Sequence, residues 1–223
     1  LRVLARLLGY PDAELRAQLP ALREVLRGEG AVGAARLAEL DALVEALAGA
    51  EPLDAEAAYV QLFDRGRATS LHLFEHVHGD SRERGPAMID LARTYDQAGL
   101  YLAPGELPDY LPAVLEFAST QPPREARAFL GEMAHIFNAL FSALQQRQSA
   151  YASVIGALLE FAGEKAQPVK VEPDEPLDAA WSEPPAFDGC SQHGQSKAGQ
   201  SRPGQPQPIR IVRKDHTAQG AVS

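Results

Sequence analysis

The chain has 223 residues, enough to bury a core without staples, and its single cysteine, Cys190, excludes an intrachain disulfide and any zinc or iron–sulfur site built from its own thiols alone. A formal net charge of −9, with no basic stripe interleaved with aromatic residues, excludes a binder of nucleic-acid backbones and favours cationic partners. No apolar run approaches the roughly 20 residues of a membrane span, and the opening Leu1 to Leu8 lacks the apolar stretch of a signal peptide, so a cytoplasmic chain without membrane insertion is expected.

From Leu1 to about Lys165 apolar residues recur at three- and four-residue spacing, as in Leu15, Leu19, Leu22 and Leu26, and again in Leu37, Leu40, Leu43 and Leu47. That period belongs to amphipathic helices. The runs are punctuated at Gly9 to Asp12, Gly28 to Gly30, Glu51 to Asp54, Gly99 and Gln121 to Pro123, where turns are expected. Later helices are predicted from about Arg124 to Gln146 and from Ser149 to Glu164. Strand signals are nearly absent, the one short candidate being Pro208 to Arg213. The fold class is all-α, a single helical bundle.

The segment Ser70-Leu71-His72-Leu73-Phe74-Glu75-His76-Val77-His78-Gly79-Asp80-Ser81-Arg82-Glu83-Arg84 crowds aromatic, imidazole and charged groups without clean alternation. His72, Glu75 and His76 fit the H-x-x-E-H pattern of inverted zinc proteases, two ligands one helical turn apart and a general base between them. Such a protease also needs a third ligand and a sheet, for which the sequence shows no material. The plainer reading turns Leu71, Phe74 and Val77 inward, gives the histidines ordinary hydrogen bonds, and uses Asp80 or Ser81 to cap the next helix. In Glu106-Leu107-Pro108-Asp109-Tyr110-Leu111-Pro112, Pro108 suits a first helical turn, whereas Pro112 is expected to bend the axis and hold a groove open.

After Lys165 the character changes. Eight of the 17 prolines lie beyond it, with scattered Gly, Ser and Gln and few large apolar residues, so residues 167–223 are expected to form a mostly disordered tail behind a helical domain of residues 1–166. Trp181, Phe187 and Ile209 to Val212 are its points of potential contact. The body carries 15 basic against 23 acidic residues and the tail 6 against 7, so the acidity belongs to the body.

Tyr59-Val60-Gln61-Leu62-Phe63-Asp64, the run from Ser70 to Arg82, and Glu106 to Pro112 together resemble the NarJ branch of the TorD-like molybdoenzyme chaperones, and Leu7 to Asp12 extends the likeness to the start. The resemblance implies a non-enzymatic, cytoplasmic chaperone. It would bind the N-terminal segment of the apo nitrate reductase catalytic (α) subunit and hold it for insertion of molybdenum bis-guanine-dinucleotide cofactor, and an iron–sulfur cluster, before membrane docking. The cofactor would belong to the client, with none held by the chaperone, and cofactor-delivery proteins are further partners the resemblance suggests. Carried over by motif, the client-binding set is Tyr59, Phe63, His72, Phe74, Glu75, His76, Asp80, Arg84, Leu107, Pro108, Asp109 and Tyr110. An apolar client face with basic flanks would meet Phe74, Leu107 and Tyr110, while Glu75, Asp80 and Asp109 attract its charges. The alternatives are a chaperone for a dimethyl sulfoxide or trimethylamine oxide reductase that binds twin-arginine signals, the zinc peptidase, and a helical scaffold without a client.

Overall fold

The structure is a computed structural model that describes residues 1–79 and 81–169. Among them are ten α-helices: α1 (Arg2–Leu7), α2 (Ala13–Glu29), α3 (Ala34–Gly49), α4 (Pro52–Phe63), α5 (Leu73–Val77), α6 (Arg84–Gln97), α7 (Leu111–Thr120), α8 (Pro123–Glu132), α9 (Ala134–Gln146) and α10 (Ala152–Ala162). A single 3-10 turn, Arg67–Thr69, joins α4 to α5. No strand forms among the described residues. The nearest approach is an isolated antiparallel bridge between His72 and Tyr110.

Local chemistry sets the helix ends. The Asp12 carboxylate accepts the Leu15 N–H at 2.8 Å and starts α2, which stops where Gly30 adopts φ 58°, a left-handed conformation that costs glycine little. Pro52, Pro112 and Pro123 sit in the first turns of α4, α7 and α8, where no intrahelical donor is lost. The Arg16 guanidinium donates to the Leu47 and Ala50 carbonyls at 2.8 and 2.6 Å, supplying α3 with the C-terminal donors its own sequence lacks.

Packing centres on α10, whose residues Ala152 to Leu159 are all buried. A helix apolar on every side belongs in the middle of a bundle. Helix α9 lies along it, α3 and α8 also pack on it, and α7 pairs with α1. Phe137, Leu140, Val154, Ile155, Leu158, Leu111 and Leu115 form the fully buried centre. Arg36 of α3 crosses over Gly156 of α10, pairs with Glu39 and with Glu160 at 3.0 Å, and stands 5.8 Å from the Phe141 ring centroid. A Cβ at Gly156 would fall on that guanidinium, so the glycine permits the crossing.

Several expectations are corrected. The helix expected over Arg124 to Gln146 is two helices broken at Met133, just after Gly131 weakens the last turn of α8. The break lets α8 carry Phe129 onto Phe117, with ring centroids 5.2 Å apart, while α9 turns Phe137 and Leu140 into the core. Pro112 does not bend an axis, because it opens α7, and Pro108 lies before the helix rather than in its first turn. Val77 is 50% exposed and does not pack inward. Helix α6 begins at Arg84 behind Glu83 without a side-chain cap, although Ser81 Oγ accepts the Glu83 N–H at 3.3 Å.

At its C-terminal end the described chain remains tied to α9, with Gln167 N–H donating to Asn138 Oδ1 at 2.6 Å and Val169 N–H to Ser142 Oγ at 3.0 Å. The expectations for Trp181, Phe187, Cys190 and Pro208 to Arg213 lie outside the described residues, as does Asp80.

Candidate functional site

The site is built where two distant segments run side by side. Leu73 N–H donates to the Asp109 carbonyl at 3.0 Å and Leu111 N–H to the Leu71 carbonyl at 2.8 Å, so His72 stands opposite Tyr110. Both segments are primed for extension: Ser70 leaves the 3-10 turn at ψ 137°, and Pro108 disfavours a helical Leu107.

Asp109 organises what surrounds this pairing. It is fully buried, and its carboxylate accepts the Phe74 N–H at 3.1 Å, faces His72 Nδ1 at 3.3 Å and lies 3.9 Å from Arg84 Nη2. The first turn of α5 has no cap from its own flank, and Asp109 supplies that cap from 35 residues away. Arg84 also reaches Glu75 Oε1 at 3.5 Å, so one guanidinium bridges a buried and a partly exposed carboxylate. The hydrogen bond to Asp109 raises the proton affinity of His72 above that of a free imidazole, against the opposing effect of burial.

The outer face of this pairing borders a cleft of about 410 Å³ lined by Phe63, Asp64, Arg65, Gly66, Arg67, Ser70, His72 and Glu75. Behind it lies an aromatic layer. The Phe63 ring is 4.8 Å from Tyr59 and 5.0 Å from Tyr151, and the His72 ring is 5.4 Å from Tyr110. Tyr59 is buried and its hydroxyl donates to the Leu8 carbonyl at 2.8 Å, tying α4 to the end of α1. Burial pushes the Tyr59, Tyr110 and Tyr151 phenols up, so all three remain protonated near neutral pH.

The residues singled out from sequence therefore separate into two sets. Phe63, His72 and Glu75 line the cleft, with Arg84 braced behind Glu75. Phe74 and Tyr110 are partly buried against the core, and His76 donates from Nε2 to the Ser70 carbonyl at 2.8 Å. Tyr59, Pro108 and Asp109 are buried. A carboxylate facing inward with no exposure cannot draw in a client's charge, so Asp109 shapes the cleft instead. Leu107, 44% exposed, is not among the cleft's lining residues.

The zinc reading meets two obstacles. His72 precedes α5 as its flanking residue, so the two histidines are not one turn apart on a helix, and both imidazoles are turned to Asp109 and Ser70. Among the described residues no cluster of three or more His, Cys, Asp or Glu is placed to hold a metal ion.

Sequence reasoning did not single out Tyr95, whose hydroxyl donates to the Pro108 carbonyl at 2.8 Å and secures the Asp109 segment from α6. Nothing in its local sequence sets its phenol apart from apolar bulk. Nor did it single out Arg65 and Arg67, which make the cleft mixed in charge rather than acidic. A larger groove of about 510 Å³, lined by Val3, Leu22, Leu100, Leu102, Phe117 and others, contains none of the predicted residues.

Comparison with known proteins bears on most of the described residues. The family described as nitrate reductase delta subunit matches residues 11–156. The nitrate reductase molybdenum cofactor assembly chaperone NarJ of Escherichia coli (strain K12) is 42% identical over 191 residues, 81% of each chain. The probable nitrate reductase molybdenum cofactor assembly chaperone NarW of the same strain is 36% identical over 193 residues, 82% of this chain and 80% of that one. A probable chaperone NarJ of Bacillus subtilis (strain 168) is 34% identical over 157 residues, 70% and 84% of the two chains. With the family match spanning more than half its length, the chain belongs to the nitrate reductase delta subunit family.

Proposed function

We propose that this chain is a nitrate reductase assembly chaperone that holds the N-terminal segment of the apo catalytic α subunit in the cleft beside His72 and Glu75 while molybdenum cofactor enters that client. Its role is to bind rather than to catalyse. The names of its relatives support the chaperone role. The site of binding rests on one observation: the stretch from Phe63 to Glu75 folds around one cleft backed by an aromatic layer, and the distant Asp109 holds its His72 to Glu75 part in place from behind.

The arrangement suits a peptide with an apolar anchor and a cationic flank. The Phe63 edge, with the buried aromatic layer behind it, forms the apolar part of the cleft, and Glu75 offers a partly exposed carboxylate. The molybdenum bis-guanine-dinucleotide cofactor, and an iron–sulfur cluster, belong to the client in this reading. The work is done in the cytoplasm, before membrane docking, and cofactor-delivery proteins are its natural co-partners. No helix among the described residues is long and apolar enough to cross a membrane.

Calorimetric titration of an N-terminal α-subunit peptide from the same organism tests the reading. Saturable binding that weakens in Glu75→Gln and in Phe63→Leu, with circular dichroism showing both variants folded, supports it. Absence of binding by the folded wild-type chain sinks it, and binding of a twin-arginine signal peptide in its place would transfer the role to another molybdoenzyme.

A further inference from the structure

Each tyrosine hydroxyl beneath the cleft has a place for its proton except one. Tyr59 gives its only proton to the Leu8 carbonyl. In the 3.4 Å contact between the Tyr59 and Tyr110 oxygens Tyr110 must therefore be the donor. Tyr151 is 8% exposed, its hydroxyl oxygen is buried, and it has no hydrogen-bond partner among the described residues.

A phenylalanine would fill the same space without an orphan donor, and leaving a buried donor unmade is costly. The position of the group gives it a use. The Tyr151 ring packs edge-on against Phe63, which lines the cleft, and lies 6.2 Å from Tyr59, so it stands one aromatic layer behind the surface a client would meet. Tyr110, with unfilled acceptor capacity, is its electrostatic neighbour.

We propose that the Tyr151 hydroxyl is a specificity-determining hydrogen-bond donor of the client site, taking an acceptor oxygen of the client segment when its anchor displaces the Phe63 ring that packs against Tyr151. This rests on the client-binding reading above and adds to it the chemistry of the bound segment. An anchor of hydrocarbon alone would leave the donor unmet. A backbone carbonyl, or the oxygen of a hydroxyl or amide side chain, would satisfy it.

The test is Tyr151→Phe in the full chain, measured twice. Thermal unfolding of the free variant should give a midpoint equal to or above wild type, because an unmet donor has been removed. Titration with the α-subunit N-terminal peptide should give affinity weakened about fivefold, the loss of one buried hydrogen bond. Peptides with each Ser, Thr, Asn and Gln changed to Ala locate the acceptor: a change that weakens wild-type binding but not that of Tyr151→Phe identifies a side-chain oxygen, and none doing so identifies a backbone carbonyl. Unchanged affinity in Tyr151→Phe overturns the proposal, as does a lowered midpoint, which would mean that the hydroxyl serves the fold. Failure of the wild-type chain to bind the peptide is a different result, and it removes the client reading together with this inference.

Discussion

Asp109 caps Phe74: a carboxylate with no solvent exposure accepts, at 3.1 Å, the backbone N–H that opens a helix 35 residues earlier in the chain. The same side chain faces His72 and Arg84. Replacing it by alanine strands a buried N–H and removes the charge that Arg84 approaches, so Asp109→Ala should cost about 3 kcal/mol. Asp109→Asn keeps an acceptor for Phe74 and should cost about half as much. Urea unfolding monitored by circular dichroism measures both, and equal losses would show that charge, not the cap, dominates.

His72 should titrate above the ordinary imidazole value, principally through its hydrogen bond to Asp109. Because the folded-state pKa is raised above the unfolded value, the stability it contributes is full below the unfolded pKa and disappears as pH rises through the folded one. The protonated ring also repels a cationic client, so affinity should rise as pH rises through the His72 midpoint. Proton NMR of the His72 ring in wild type and Asp109→Asn checks the coupling, which predicts a lower midpoint in the variant, and calorimetry from pH 6 to 8 checks the affinity.

The Tyr59 hydroxyl links α4 to the last residues of α1 through the Leu8 carbonyl. Tyr59→Phe keeps the ring and its contacts but leaves that carbonyl without its donor, and should lower stability by about 1 to 2 kcal/mol. Differential scanning calorimetry reads the change. The variant also removes the acceptor for Tyr110, so Tyr59→Phe and Tyr110→Phe should be less than additive.

Gly156 and Arg36 form a steric pair whose sign can be inverted. Gly156→Ala displaces the guanidinium from Glu160 and Phe141 and should destabilise by about 1 kcal/mol despite alanine's better helix propensity. In an Arg36→Ala background the same change has nothing to displace and should stabilise by up to about 1 kcal/mol. A double-mutant cycle by chemical denaturation decides, and additivity would separate the two residues.

Salt supplies a check on the client's charge. The body carries 15 basic and 23 acidic residues, and Glu75 lines the cleft partly exposed. Binding of a peptide with basic flanks should weaken several-fold between low and about 0.5 M salt, as screening shortens the reach of these charges. Calorimetry at the two ionic strengths measures it, and a flat response would assign affinity to the apolar anchor alone.

The helical class was legible because a three- and four-residue period needs only local information, and Leu15, Leu19 and Leu26 are buried where that period places them. Leu40, Leu43 and Leu47 follow the same rule on α3. What periodicity does not carry is the point at which a continuous apolar face is broken, and Met133 divides one such face into α8 and α9. The prolines were read by residue type, yet their effect depends on register. Pro112 falls in the first turn of α7 and disturbs nothing.

The motifs marked the right neighbourhood but not the division of labour within it. Asp109 and Glu75 look alike in sequence as acidic residues in crowded stretches, whereas one is sealed in the core and the other meets solvent. That difference comes from the pairing of Leu71 to Leu73 with Asp109 to Leu111, a long-range event with no local signature. Tyr151 and Tyr95 were legible only as apolar bulk, because a phenol's partner is chosen by the tertiary fold.

The pairing of His72 with Tyr110 also closes a loop. The chain leaves the body after α5, runs through α6, whose only buried residue is Tyr95, and returns at Pro108. A segment tied at its base and sparsely anchored along its length opens as a unit at low cost. Amides of α6 should therefore exchange with deuterium well before those of α9 and α10, while Leu73 N–H and Leu111 N–H at the neck remain protected. The loop can then be lengthened, shortened or engaged by another molecule without disturbing the packing around α10.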